Sequence, residues 1–244
     1  LNFWSIMSGH SKWSTIKRKK GAADAKRGIV FTRLSKDITA ASRASGGNPD
    51  MNPTLRLAIK KAKAANMPVA NIDRAIKKGT GDLPGIRYED SIYECYGPSG
   101  VAILLEVLTD NKNRTVSEIK NILSKNGGNL GESGCVNWMF VKQGTITISK
   151  SLINEDKALE ILDYEIEDLE QDDDCYTIST LPENFDKVSK SIENDGIEID
   201  GEVSLVASNI VKVTEDQSTK IVSLLEQLDD HDDIQKVHTN FEIE

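Results

Sequence analysis

The chain has 244 residues, with 30 Lys and Arg against 39 Asp and Glu, for a formal charge of −9. Hydrophobic residues at 38% and charged residues at 28% exclude a disordered chain or a fibre, and no apolar run reaches the roughly 18 residues that span a bilayer. Taken alone, the acidic balance also argues against DNA or RNA as a partner, since both are polyanions.

Residues 1–6 (LNFWSI) precede Met7. They are apolar but short, with no basic lead and no small-residue cleavage site, so they do not read as a signal peptide. The working protein is expected to begin at Met7, with a hydrophobic arm over 1–6 as the alternative. Residues 8–21 place Lys12, Lys17, Arg18, Lys19 and Lys20 around one aromatic, Trp13. They lack core periodicity, so residues 1–21 are expected to form a basic flexible arm that orders on contact.

Residues 22–81 predict a helical domain. Phe31, Leu34, Ile38 and Ala41 recur at helical spacing, with Arg33, Lys36 and Arg43 off the stripe. A loop at 45–50 is followed by Asn52 as a cap and Pro53 at the first helical position. Leu55, Ala58, Ile59, Ala62 and Ala65 mark the buried face of that helix. A third helix follows Pro68, carries Ile72, Ala75 and Ile76 inward, and is expected to stop at Gly79. Three short helices with a basic exterior result.

From residue 87 the period shortens. Strands are predicted over 88–96 and 101–109, a helix over 113–126, a hairpin of 136–141 and 145–149 around Gln143-Gly144, and a helix over 155–164. Then come strands at 165–169 and 176–180, a helix over 182–194, one strand over 203–213, a helix over 215–229 and a strand over 234–241. The order predicts an α+β fold of ferredoxin-like or split βαβ units. Residues 82–133 with 201–244 would form one discontinuous α+β domain, and residues 134–200 a second one inserted into it.

Resolved along the chain, the charge divides. Residues 1–80 hold 17 Lys and Arg against four acids, a net of +13, and residues 81–244 hold 13 against 35, a net of −22. Lysine and arginine release counterions from phosphates whatever the base sequence, and a tryptophan can stack on an exposed base. The candidate nucleic-acid-binding residues are therefore Lys12, Trp13, Lys17, Arg18, Lys19, Lys20, Lys26 and Arg27, with Lys60, Lys61, Lys63, Arg74, Lys77 and Lys78 in support. The competing explanation is self-neutralisation, a positive head folded onto its own negative body.

Other constellations carry less. Asp229-Asp230-His231-Asp232-Asp233 has the composition of a metal site, and a metal-dependent hydrolase built on it is the rival of another class. Adjacent acids between a helix and a strand are more often a solvated turn, so no metal is assigned, and residues 171–174 are read the same way. There is no G-x-S-x-G elbow, and the pairs Gly46-Gly47 and Gly127-Gly128 lack the Gly-Lys-Ser/Thr ending of a phosphate loop. Cys95, Cys135 and Cys175 form no C-x-x-C pair and read as partly buried structural thiols in a reducing cytoplasm.

Met7-Ser8-Gly9-His10-Ser11-Lys12-Trp13, followed by Ile16-Lys17-Arg18-Lys19-Lys20-Gly21-Ala22-Ala23-Asp24, resembles the opening of the YebC family, which includes the mitochondrial translational activator of cytochrome oxidase. Asn48-Pro49-Asp50-Met51-Asn52-Pro53, Ile76-Lys77-Lys78-Gly79-Thr80-Gly81, Tyr96-Gly97-Pro98, Leu108-Thr109-Asp110-Asn111 and Trp138-Met139-Phe140 continue the likeness. Cys135, where a serine is expected, and Gly28-Ile29-Val30, in place of a more basic stretch, depart from it. The resemblance implies three domains, no catalytic residue and no cofactor. It implies a DNA-binding transcriptional regulator, or alternatively a translation factor on ribosomal RNA or mRNA. The acidic domains would contact the transcription machinery or the ribosome, and no membrane is involved.

Overall fold

The computed structural model describes residues 27–84, 87–172 and 174–244. The fold is α+β, with a helical region followed, among the described residues, by two four-stranded antiparallel sheets and a two-stranded parallel pair. The described residues fall into two compact units: Trp138–Ile210, and residues 27–137 together with Val211–Glu244.

The second unit begins with three helices, α1 (Arg27–Ser45), α2 (Pro53–Ala64) and α3 (Val69–Thr80). Leu34, Ile38, Ala41, Leu55, Ala58, Ala62, Met67, Ile72 and Ala75 form their common core. Asn52 caps α2: its Oδ1 accepts the Leu55 N–H at 3.0 Å, and its amide donates to the carbonyls of Ala41 and Gly46. One buried side chain thus starts α2 and ties it to the end of α1. The stop expected at Gly79 lies two residues later. Gly81 takes the left-handed turn at φ 90°, while Gly79 is buried inside α3. A Cβ on Gly79 would sit 2.5 Å from the Thr39 carbonyl oxygen and 2.6 Å from Ser42 Cβ. Gly79 therefore allows α1 and α3 to approach closely, which is a packing role.

The same unit continues with β1 (Glu89–Tyr96), β2 (Ala102–Thr109), α4 (Lys112–Lys125) and β3 (Asn129–Leu130). After the second unit's chain resumes at Val211, it adds a short strand Val211–Val213, a helix Glu215–Asp229 and strands Ile234–Thr239 and Phe241–Ile243. In chain order these are β8, α7, β9 and β10. The sheet runs β3-β1-β2-β9, and β8 pairs with β10 in parallel. Ile103, Leu105 and Val107 of β2 pack on Ile119 and Leu123 of α4 and on Ile221, Leu224, Leu225 and Leu228 of α7. Ala102, Leu104 and Leu108 are buried on the opposite face, so β2 reads as a near-continuous apolar run. The strand expected over 234–241 is interrupted by buried Asn240. Its side chain accepts the Ala102 N–H at 2.8 Å, while its carbonyl accepts the Val211 N–H at 2.7 Å.

The first unit contains β4 (Phe140–Ser149), α5 (Glu155–Ile161), β5 (Asp168–Gln171), β6 (Cys175–Thr180), α6 (Phe185–Asn194) and β7 (Asp200–Ala207). Its strands are antiparallel in the order β5-β6-β4-β7, a βαββαβ arrangement with both helices on one face. Ile146, Ile148, Tyr176 and Ile178 face Ala158, Ile161, Val188 and Ile192. Two sequence expectations fail here. Gln143-Gly144 is not a turn but the middle of β4, where a Cβ on Gly144 would lie 2.9 Å from Phe185 Cβ. The single strand expected over 203–213 is two strands in different sheets: β7 pairs with β4, and β8 pairs with β10. Residues 201–207, expected with the outer α+β domain, thus belong to the inner sheet.

Candidate nucleic-acid interface

Lys12, Trp13, Lys17, Arg18, Lys19, Lys20 and Lys26 lie outside the described residues, and Arg27 opens α1. The other six candidates are placed. Lys60, Lys61 and Lys63 on α2, and Arg74, Lys77 and Lys78 on α3, are all exposed. The apolar stripes of the two helices leave them no inward position. Arg74, Lys77 and Lys78 are three and four residues apart, as neighbours on one helix face, and Lys60 and Lys63 are similarly spaced. Like charges at this spacing repel, and an anion seated between them relieves that repulsion. Lys61, Lys63, Lys77 and Lys78 also lie in last turns, where the helix dipole favours cations. An anion here would be held by side chains rather than by helix amides. Leu57 and Val69, 53% and 64% exposed, lie on the same two helices.

Arg33 and Lys36 do not belong to this exterior. They lie one turn apart on α1 and reach the turn between α7 and β9. Arg33 donates to the carbonyls of Asp229 and His231 and approaches the Asp229 carboxylate at 3.6 Å. Lys36 donates to the Asp232 carbonyl at 2.9 Å and to Asp233 Oδ1 at 2.5 Å, with the Tyr88 ring 5.7 Å from its ammonium. Asp233 Oδ2 accepts from Thr109 at 3.1 Å, Thr115 at 2.7 Å and Arg114 at 2.7 Å. Burial alone would raise this carboxyl, but the hydrogen bonds from Lys36, Thr115 and Arg114, with the Lys36 charge, hold it far below the usual range.

In the acidic run 229–233, Asp229 and Asp233 are therefore buried and paired while Asp230 and Asp232 are exposed, and the run is not an open cation site. Glu118, His231 and Asp233 do converge, with ligand atoms within 4.8 Å of one another. However, His231 Nδ1 accepts the Asp233 N–H at 3.1 Å, which leaves Nε2 to donate to Glu118 Oε2 at 2.9 Å. Asp233 is already balanced by a lysine and an arginine, which a metal ion would have to displace. In the second acidic cluster, Asp172 N–H donates to the Cys175 carbonyl and Lys150 N–H to the Asp174 carbonyl.

Two further groups, Asp37 and Glu94, went unread in the sequence. Asp37 of α1 is pushed up to about 6 by burial, against the pull of Lys61, with Asp90 adding to the rise and Lys236 and Arg33 opposing it. Buried Glu94 accepts the N–H groups of Gly134, Val136 and Asn137 at 2.6, 2.7 and 2.8 Å. Burial works against its ionised form, but those three bonds win and lower its pKa, so Glu94 pins the loop that leads out of this unit. Cys95 and Cys175 are buried, and burial pushes the Cys95 thiol up to about 12, so it is held protonated. Among the described residues, no helix is long and apolar enough to cross a membrane.

Comparison with known proteins adds to this geometry. A family model described as the TACO1/YebC N-terminal domain matches residues 11–82, and one described as the TACO1/YebC second and third domain matches residues 88–241. A protein of Desulfotalea psychrophila named a probable transcriptional regulatory protein is 52% identical over 98% of this chain and 96% of its own. One of the same name from Desulforapulum autotrophicum is 53% identical, covering 97% of each. The crystal structure of a conserved hypothetical protein from Aquifex aeolicus aligns with a TM-score of 0.84 at 41% identity, over 96% of this chain and 98% of that one.

Proposed function

The chain belongs to the TACO1/YebC family, and we propose that it is a non-enzymatic, cytoplasmic DNA-binding regulator of transcription that grips phosphates through its basic amino-terminal region. The observation that carries this reading is the exposure of Lys60, Lys61, Lys63, Arg74, Lys77 and Lys78 on two adjacent helices. In the sequence they follow a segment in which Lys12, Lys17, Arg18, Lys19, Lys20, Lys26 and Arg27 fall within sixteen residues around Trp13. The relatives' name, probable transcriptional regulatory protein, supports the regulatory part. The acidic remainder, at −22, would repel nucleic acid and serve contacts with the transcription machinery.

A second reading, an RNA- or ribosome-associated translation factor, is favoured by one feature of the same surface. Five of the six placed cations are lysines, point charges that position a backbone but do not read base edges as arginine, asparagine and glutamine do. Such a surface suits RNA phosphates as well as DNA.

Binding of mixed-sequence duplex DNA and single-stranded RNA, titrated across salt, tests both readings. Affinity should fall steeply with salt, and changing Lys17, Arg18, Lys19 and Lys20 to Glu should abolish it on either polymer. Unchanged binding by that variant would refute the arm. Tighter binding to duplex DNA supports the transcriptional reading, and tighter binding to RNA the second.

A further inference from the structure

Arg33 and Lys36 are the described cations of α1 that turn away from the proposed surface, and what they hold is specific. Helix α7 ends at Asp229, and the chain turns through Asp230, His231 and Asp232 into β9. Arg33 meets the carbonyls of Asp229 and His231, and Lys36 that of Asp232. Two cations of one helix thus hold the last carbonyl of another and the turn that follows it, where the helix dipole favours positive charge. The contact is nearly dry: side-chain exposure is 8% for Lys36 and 4% for Asp233. Thr109 of β2 and Thr115 and Arg114 of α4 fix the other Asp233 oxygen. Three stretches distant in sequence, α1, the β2–α4 junction and the α7–β9 turn, therefore meet at one carboxylate, and the helical region is fastened to the sheet beneath it.

We propose that Arg33 and Lys36 are positioning residues for nucleic-acid binding: they latch α1 to the α7–β9 turn, so the cations of α2 and α3 are presented as one fixed array. The inference rests on the phosphate-binding reading above. A fixed array meets the polymer with its charges already arranged. A loosened one must be ordered at the moment of binding, which weakens affinity without changing the number of phosphates met. Lys36 itself meets no phosphate, because its ammonium is committed to Asp233 and Asp232.

The test uses the full chain and mixed-sequence duplex DNA and single-stranded RNA over a range of KCl. Lys36→Met should bind about three- to tenfold more weakly, with an unchanged slope of affinity against salt, and should show faster amide exchange along α1. Lys77→Ala should lower the salt slope by about one and leave α1 exchange alone. Asp233→Asn should behave as Lys36→Met does and serves if that variant does not fold, while Lys36→Arg should restore both affinity and protection. A salt slope lowered by Lys36→Met would make Lys36 a direct phosphate contact and overturn the proposal. So would parental affinity in a variant whose α1 exchanges faster. A variant with Lys60, Lys61, Lys77 and Lys78 all changed to Ala that kept the parental slope would instead remove the surface itself, and the latch's role with it.

Discussion

Single residues carry opposite electrostatic assignments within a short span of α1. Lys36 is buried beside a carboxylate that it helps keep ionised, whereas Asp37, the next residue, is half-buried with its pKa raised to about 6. A carboxyl whose folded pKa exceeds its usual value favours folding when protonated. Stability from Asp37 should therefore rise as pH falls from above 6 toward 4 and be lost as pH climbs through that window. Asp37→Asn should stabilise the chain at pH 7, on the order of 1–3 kcal/mol, and have little effect at pH 4. Thermal unfolding at the two pH values checks this. A variant equally stabilised at both would mean that packing, not charge, is the source. Glu94 works in the other direction: its lowered pKa stabilises the fold at neutral pH and is lost on acidification. Neither behaviour was legible from residue type, because an aspartate on a helix or a glutamate in a strand looks the same whether buried or exposed.

Glycines show the same limit at the scale of elements. Gly79 and Gly144 both read as punctuation, yet both lie inside regular elements. Each is required by a neighbour from elsewhere in the sequence, α1 at Gly79 and Phe185 with Thr180 at Gly144. Gly144→Val should destabilise the β4–β7 unit by about 1–3 kcal/mol or more through overpacking, measurable by denaturant unfolding. Parental stability would show that the sheet can spread at that point. By contrast, the cap Asn52-Pro53 and the helix over 215–229 were legible, because caps and helical periodicity are local. The strand read as 203–213 was not resolved into β7 and β8. Its alternation is continuous, and only pairing with β4 or with β10 distinguishes the halves.

For the whole molecule, charge and core are partitioned differently. Residues 138–210 hold 18 acids and five bases and have their own buried core. Expressed alone, this segment should fold cooperatively and bind neither DNA nor RNA. A segment that stayed unfolded by circular dichroism would show that its core depends on the remainder of the chain. The remaining unit joins the cationic helices to acidic α+β elements through Arg33, Lys36, Asp229 and Asp233. The sequence by itself determined the family, the α+β class, the helical stripes and the +13 head on a −22 remainder, since all of these rest on composition, motif or local period. It also put the cations of α2 and α3 on the exterior, because exposure there follows from the stripe. Only the tertiary structure decided that Arg33 and Lys36 serve the interior, and that Asp229 and Asp233 are their counterpart. That pairing joins groups almost 200 residues apart, and no periodicity along a chain encodes which distant carboxylate a lysine will meet once both are buried.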